Sequence, residues 1–180
     1  MLKIIHPFSP HIINRVILYP CETYLYNSLI NGLVSAASNL GDTGCYLKRS
    51  WHDEKNPNYF YIPLSELIEA YEGTLSLDSL NKVELDLDFW SDYAIYSSSG
   101  SWGLMLSHER HALLGGSANF IDEVREFVPN LDEQAKLFLQ KLQSINRHDP
   151  NATLEWVPRL FTHVYGQETA EKMLKEAELL

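Results

Sequence analysis

The chain has 180 residues, 45% of them hydrophobic and 12% aromatic, and a formal net charge of −10. That length fits one domain of the usual roughly 100–200 residues with a substantial core, and the ten Tyr and four Trp argue against disorder. The charge excludes general nucleic-acid binding, which needs a basic stripe to neutralise phosphates, and disfavours anionic lipid; it suits a basic protein partner, or simply solubility.

In chain order, Ile12 to Leu18 is rich in β-branched residues and reads as a strand closed by Pro20. From Cys21 the apolar residues Leu25, Leu29, Leu33, Ala36 and Leu40 recur at steps of three and four, predicting a helix that Gly41 stops. Gly32 inside it is either tolerated or leaves room for a neighbouring element. Cys45 to Trp51 and Tyr59 to Ile62 read as two strands of a hairpin around a polar loop. Pro63 suits the first turn of a helix carrying Leu64, Leu67, Ile68 and Tyr71 on one face, with Gly73 at its end. Val83 to Phe89 alternates apolar and acidic residues with period two, as a half-buried strand does. Tyr93–Tyr96, Trp102–Leu106 and His111–Leu114 then form a meander joined by polar turns. Ser117 caps a helix whose Phe120, Ile121, Val124 and Phe127 face the core.

Beyond Pro129 the pattern is helical. Asn130 and Glu133 resemble a capping box, and Leu131, Ala135, Phe138, Leu142 and Ile145 carry the next stripe. A further helical region starts at Asp149-Pro150 and is interrupted at Pro158 and Gly166; Gln167 to Leu180 is the last helix. Strands before residue 117 and helices after it predict an α+β fold with an antiparallel sheet of about five strands covered by helices. The C-terminal third is expected to be all-helical. Residues 1–129 and 130–180 read as the sheet-containing body and a helical extension packed on the same core of one domain.

Cys21 and Cys45 fall in no CxxC or zinc spacing and read as reduced, packed thiols of a cytoplasmic protein. The start, Met1 to Pro7, is too short an apolar run for a signal peptide, and no stretch approaches the roughly 20 apolar residues that span a bilayer. A soluble cytoplasmic protein without membrane association is therefore expected.

Recognisable catalytic motifs are few and incomplete. Ser107-His108-Glu109-Arg110-His111 places its histidines three apart in a predicted turn, whereas the zincin motif places them four apart on a helix. His108 and His111 form a metal site only if a distant ligand such as His52 or His163 folds in; a metal-assisted hydrolase on this turn is the alternative functional reading. Glu84, Asp86 and Asp88 share one strand face, with Asp92 following. Spaced about 6.5–7 Å apart, they cannot converge on a cation and instead read as a solvated face or an acidic docking surface. Gly115-Gly116-Ser117-Ala118-Asn119 lacks the last glycine of a nucleophile elbow. Trp102, beside a serine-glycine turn, is either core, through alternation with Leu104 and Leu106, or an anchor at a binding surface. No pattern calls for a cofactor.

The stretch Tyr93-Ala94-Ile95-Tyr96-Ser97-Ser98-Ser99-Gly100-Ser101-Trp102-Gly103, followed by Ala112-Leu113-Leu114-Gly115-Gly116 and an apolar helix, resembles small acidic bacterial proteins of the immunity type. These α+β proteins neutralise toxins by binding them. The resemblance covers about a fifth of the chain. It implies a non-enzymatic binding role and assigns no residue. Together with the charge, it leads to the expectation of a basic toxin or other basic partner, with Glu84, Asp86, Asp88, Asp92 and Trp102 as candidate binding residues.

Overall fold

The computed structural model describes residue 8 and residues 11–21, 27–49, 59–72, 92–149 and 151–180. Six strands form one antiparallel sheet: β1 Asn14–Leu18, β2 Gly44–Arg49, β3 Tyr59–Pro63, β4 Tyr93–Ser97, β5 Gly103–Ser107 and β6 His111–Gly116. Their order across the sheet is β1-β6-β5-β4-β2-β3. The helices are α1 Asn27–Asn39, α2 Leu64–Glu72, α3 Ala118–Phe127, α4 Gln134–His148, α5 Val157–Tyr165 and α6 Gln167–Glu176.

The fold is thus α+β with an antiparallel sheet, as the segregation of strands from helices predicts. The sheet has six strands and not five, because β1 closes one edge by pairing with β6, Val16 opposite Leu114 and Ile17 opposite Leu113. The predicted strand at Val83–Phe89 lies outside the described residues, as do Trp51, His52, Gly73 and Trp90.

On one sheet face, α1, α2 and α3 enclose a core. Leu29, Leu33 and Leu67 meet Leu47, Ile95, Leu104 and Leu114 there, and Trp102 stacks on Phe120 with ring centroids 5.3 Å apart. Gly32 is where α1 takes α3 closely: a Cβ there would stand 3.0 Å from the Phe127 Cβ. Ser117 caps α3, its hydroxyl accepting a bond from the Phe120 N–H at 3.2 Å. Removing that hydroxyl typically costs about 1 kcal/mol.

Helices α4, α5 and α6 do not join that core. They build a second one on the opposite face, where Phe138, Leu139, Leu142, Leu160 and Phe161 pack with Ile17 and Leu113. This part is not wholly helical. Asp149 ends α4, and its side chain accepts from the Asn151 N–H at 3.0 Å, an Asx turn that draws the backbone away from helix. Regular helix resumes only at Val157, so Pro158 sits in the first turn of α5, where its missing N–H is no loss, and does not interrupt it. Gly166, at φ +78°, separates α5 from α6, which ends at Glu176, short of the predicted Leu180. The expected capping box does not form. Asn130 makes no capping bond, because its backbone turns left-handed at φ 59° into a 3-10 turn, Leu131–Glu133.

Candidate functional site

Strand alternation sends every second residue to the face opposite α1 and α3. The register lines these residues up in two rows across all six strands. The first runs Tyr61, Tyr46, Tyr96, Gly103, Gly115, Arg15. The second runs Tyr59, Lys48, Ala94, Met105, Leu113, Ile17.

At the β1-β6-β5 end the rows are covered. Ile17 and Leu113 are fully buried under the second helical layer, and Phe8 lies over Gly103 and Gly115, which have no side chain to obstruct it. At the β4-β2-β3 end the same rows are open and tyrosine-lined. Tyr59 and Tyr61 are 47% and 42% exposed, and Tyr46 and Tyr96 are half-buried between them. The rings brace one another, Tyr46 to Tyr61 at 5.4 Å edge-on, Tyr46 to Tyr96 at 5.8 Å stacked, and Tyr59 to Tyr96 at 6.3 Å edge-on. Burial first, then the neighbouring phenols of Tyr59 and Tyr46, pushes the Tyr96 hydroxyl up to about 12, so it stays neutral. The Lys48 ammonium stands 5.2 Å above the Tyr59 ring centroid. This half is an aromatic platform with one cation on it. Tyrosine supplies a large amphipathic contact area with few rotatable bonds, which is why it recurs at binding hot spots.

The residues that sequence reasoning nominated lie elsewhere. Glu84, Asp86 and Asp88 are outside the described residues. Trp102 is 1% exposed and belongs to the first core, where its Nε1–H donates to the Asp42 carboxylate at 2.8 Å. The same carboxylate oxygen accepts from the Ser97 hydroxyl at 2.7 Å, so this buried node ties the serine turn to the α1–β2 connection. Asp92 is 4% exposed and organises the β5–β6 turn. Its Oδ1 accepts from the His108 backbone N–H at 2.9 Å and lies 2.8 Å from His108 Nδ1.

His108 and His111 have different surroundings. His108 is exposed and lies against the buried Asp92. The His111 ring is buried, stacked on Phe138 at 4.8 Å and on Trp156 at 5.8 Å. Its burial lowers the imidazole from 6.5 to about 4, opposed by the Glu109 backbone and by Asp92, and reinforced by His108. His163 receives an Arg15 Nη1 bond on its carbonyl at 2.5 Å and stacks on Phe8, and His52 is outside the described residues. Among the described residues no group of three or more His, Cys, Asp or Glu is arranged to hold a metal ion.

Both cysteines are free and buried, and burial followed by the charge of Asp42 pushes the Cys45 thiol up to about 12, far from a reactive thiolate. Among the described residues no helix is long and apolar enough to cross a membrane.

The tyrosine platform is the feature that motif reasoning missed. Its signal was present in the sequence: Tyr46, Tyr59, Tyr61 and Tyr96 occupy the alternate positions of three strands whose other positions are Cys45, Leu47, Phe60, Ile62 and Ile95. No protein-family model, curated protein or solved structure matches this chain.

Proposed function

We propose that the chain is a non-enzymatic binding protein of bacterial, cytoplasmic type that captures a basic protein partner on the tyrosine platform. Toxin neutralisation, as immunity proteins perform it, is the specific form of this reading. The observation that carries it is the uncovered half of the sheet face. Among the described residues a contiguous aromatic surface is left open beside a covered one, as at an interaction site, since solvated sheet faces ordinarily carry polar side chains. The net charge of −10 supports a basic partner by steering its approach. Asp92 and Trp102 are buried, so the proposed docking surface consists of Tyr46, Tyr59, Tyr61 and Tyr96 in their place.

The test is a pull-down from the native cells at low and high salt, using the native chain and the Tyr59→Ala/Tyr61→Ala double variant as parallel baits. The expected result is a basic protein held by the native bait at low salt, released at high salt and absent from the variant. A partner retained equally by the variant, or no partner at all, overturns the reading.

A further inference from the structure

We propose that Lys48 is a built-in competitor for the platform: it occupies the ring face of Tyr59 that an arginine or lysine of the basic partner takes on binding. The inference rests on the binding role argued above and names the contact that regulates it.

The register sets Lys48 directly opposite Tyr59 on the open face, and its ammonium stands 5.2 Å over that ring. Among the described residues no carboxylate pairs with this ammonium; the aromatic ring is its counterpart. A cation placed over a tyrosine ring within about 6 Å is held by the ring quadrupole, weakly where water has access. Tyr59 is nearly half exposed, so the contact is of the weak, replaceable kind. The pair therefore demonstrates on this molecule that the platform takes a cation. Lys48 is also the only positive side chain in the two rows at this end of the sheet, within a chain of net charge −10. A partner cation meets an attractive overall field but must displace one local ammonium. The consequence is a platform that rejects weakly basic surfaces and yields to a segment that delivers its cations together with good contact to the tyrosines. An arginine-rich segment fits best, because a guanidinium stacks on aromatic faces and is more weakly hydrated than the ammonium it replaces.

Titration of the 180-residue chain with a fluorescein-labelled arginine–serine repeat peptide, and with its glutamate–serine counterpart as control, tests this directly. The substitution Lys48→Met keeps the aliphatic stem and removes the charge; Lys141→Met, on the exposed side of α4, removes one charge away from the platform. Lys48→Met is expected to bind the arginine peptide about two- to fivefold more tightly than the native chain, and Lys141→Met less than about twofold more tightly. In the native protein the Lys48 ε-methylene proton signals should lie upfield in the ring current of Tyr59 and move downfield as the arginine peptide is added. Equal gains from both lysine substitutions, or no gain from Lys48→Met, overturn the competitor role. If Tyr59→Ala/Tyr61→Ala still abolishes binding in that case, the platform stands and only the role of Lys48 falls. Absence of binding by the native and Lys48→Met chains alike overturns both.

Discussion

On the sheet face opposite α1 and α3, the β1-β6-β5 half and the β4-β2-β3 half are continuous in backbone and register but opposite in fate. One half sets Ile17, Leu113 and Met105 beneath Phe161 and its neighbours; the other sets Tyr59, Tyr61, Tyr46 and Tyr96 beside water. The strands report the difference in their side chains. All six residues of β6 are buried, as in a strand covered on both faces, whereas β3 alternates exposed Tyr59 and Tyr61 with the more enclosed Phe60 and Ile62. Coverage stops where glycine and aliphatic residues give way to tyrosine. A side chain that is comfortable half in water marks the boundary between the covered half and the exposed one.

That contrast is broken most severely by deleting a large side chain from the covered half. Phe161 is fully buried, packed against Phe138 at 6.4 Å and Tyr165 at 5.7 Å. Phe161→Ala should cost about 3–5 kcal/mol of stability in urea unfolding, from lost transfer energy and the cavity left behind. Tyr59→Ala on the open half should cost about 1 kcal/mol or less, since its ring is already nearly half hydrated. Equal losses at the two positions would show that the platform is a structural element.

A second difference between the halves is electrostatic. His111 is neutral and buried where the helical layer meets the sheet, and its folded-state value is about 4 against 6.5 for the free side chain. Between pH 6.5 and about 4 the unfolded chain therefore takes up a proton that the folded chain refuses. Stability contributed at this position is complete above pH 6.5, falls as the pH drops through that window, and levels off below about 4. At about 1.4 kcal/mol per pH unit, the whole loss is on the order of 3 kcal/mol. Asp92 and His108 are the titratable side chains that act on the ring, while Phe138 and Trp156 face it from the helical layer. His111→Phe should flatten the acid side of the stability profile relative to the native chain. An unchanged profile would mean that other groups govern the acid response.

Much of this architecture was legible in the sequence, because the decisive patterns are local. Alternation located β4, β5 and β6, the three-and-four spacing located α1 and α3, and Ser117 marked the start of α3. Pairing of β1 with β6 joins residues about a hundred positions apart, and no short-range pattern encodes such a contact. The same limit hid the Asp42 carboxylate beneath Trp102, which left its core and anchor readings both open. His108 and His111 looked equivalent as letters. They part because His108 lies in the turn after β5, where Asp92 holds it, while His111 opens β6 under the helical layer. The tyrosine platform was encoded as alternation too, but it reads as a surface only once β2 is seated between β3 and β4.

The smallest effects sharpen the comparison most, because two glycines on the same sheet face test both halves with one methyl group each. A Cβ on Gly115, in the covered half, would stand 2.7 Å from Ile12 Cγ2 and 3.1 Å from Phe8 Cε1, both hemmed in by the second core. Gly115→Ala should therefore destabilise the protein by about 1–3 kcal/mol, the usual cost of overpacking. A Cβ on Gly44, in the open half, would overlap the Tyr61 hydroxyl and ring edge, but that ring is exposed and free to swing into water. Gly44→Ala should leave stability within about 1 kcal/mol of native, since the cost of displacing Tyr61 is offset by a less flexible unfolded chain. The displaced ring leaves its edge-on contact with Tyr46, so the arginine peptide should bind about two- to threefold more weakly. Urea unfolding and peptide titration of the two variants separate the roles: a Gly44→Ala chain that binds as tightly as native would show that Tyr61 has no fixed place in the contact.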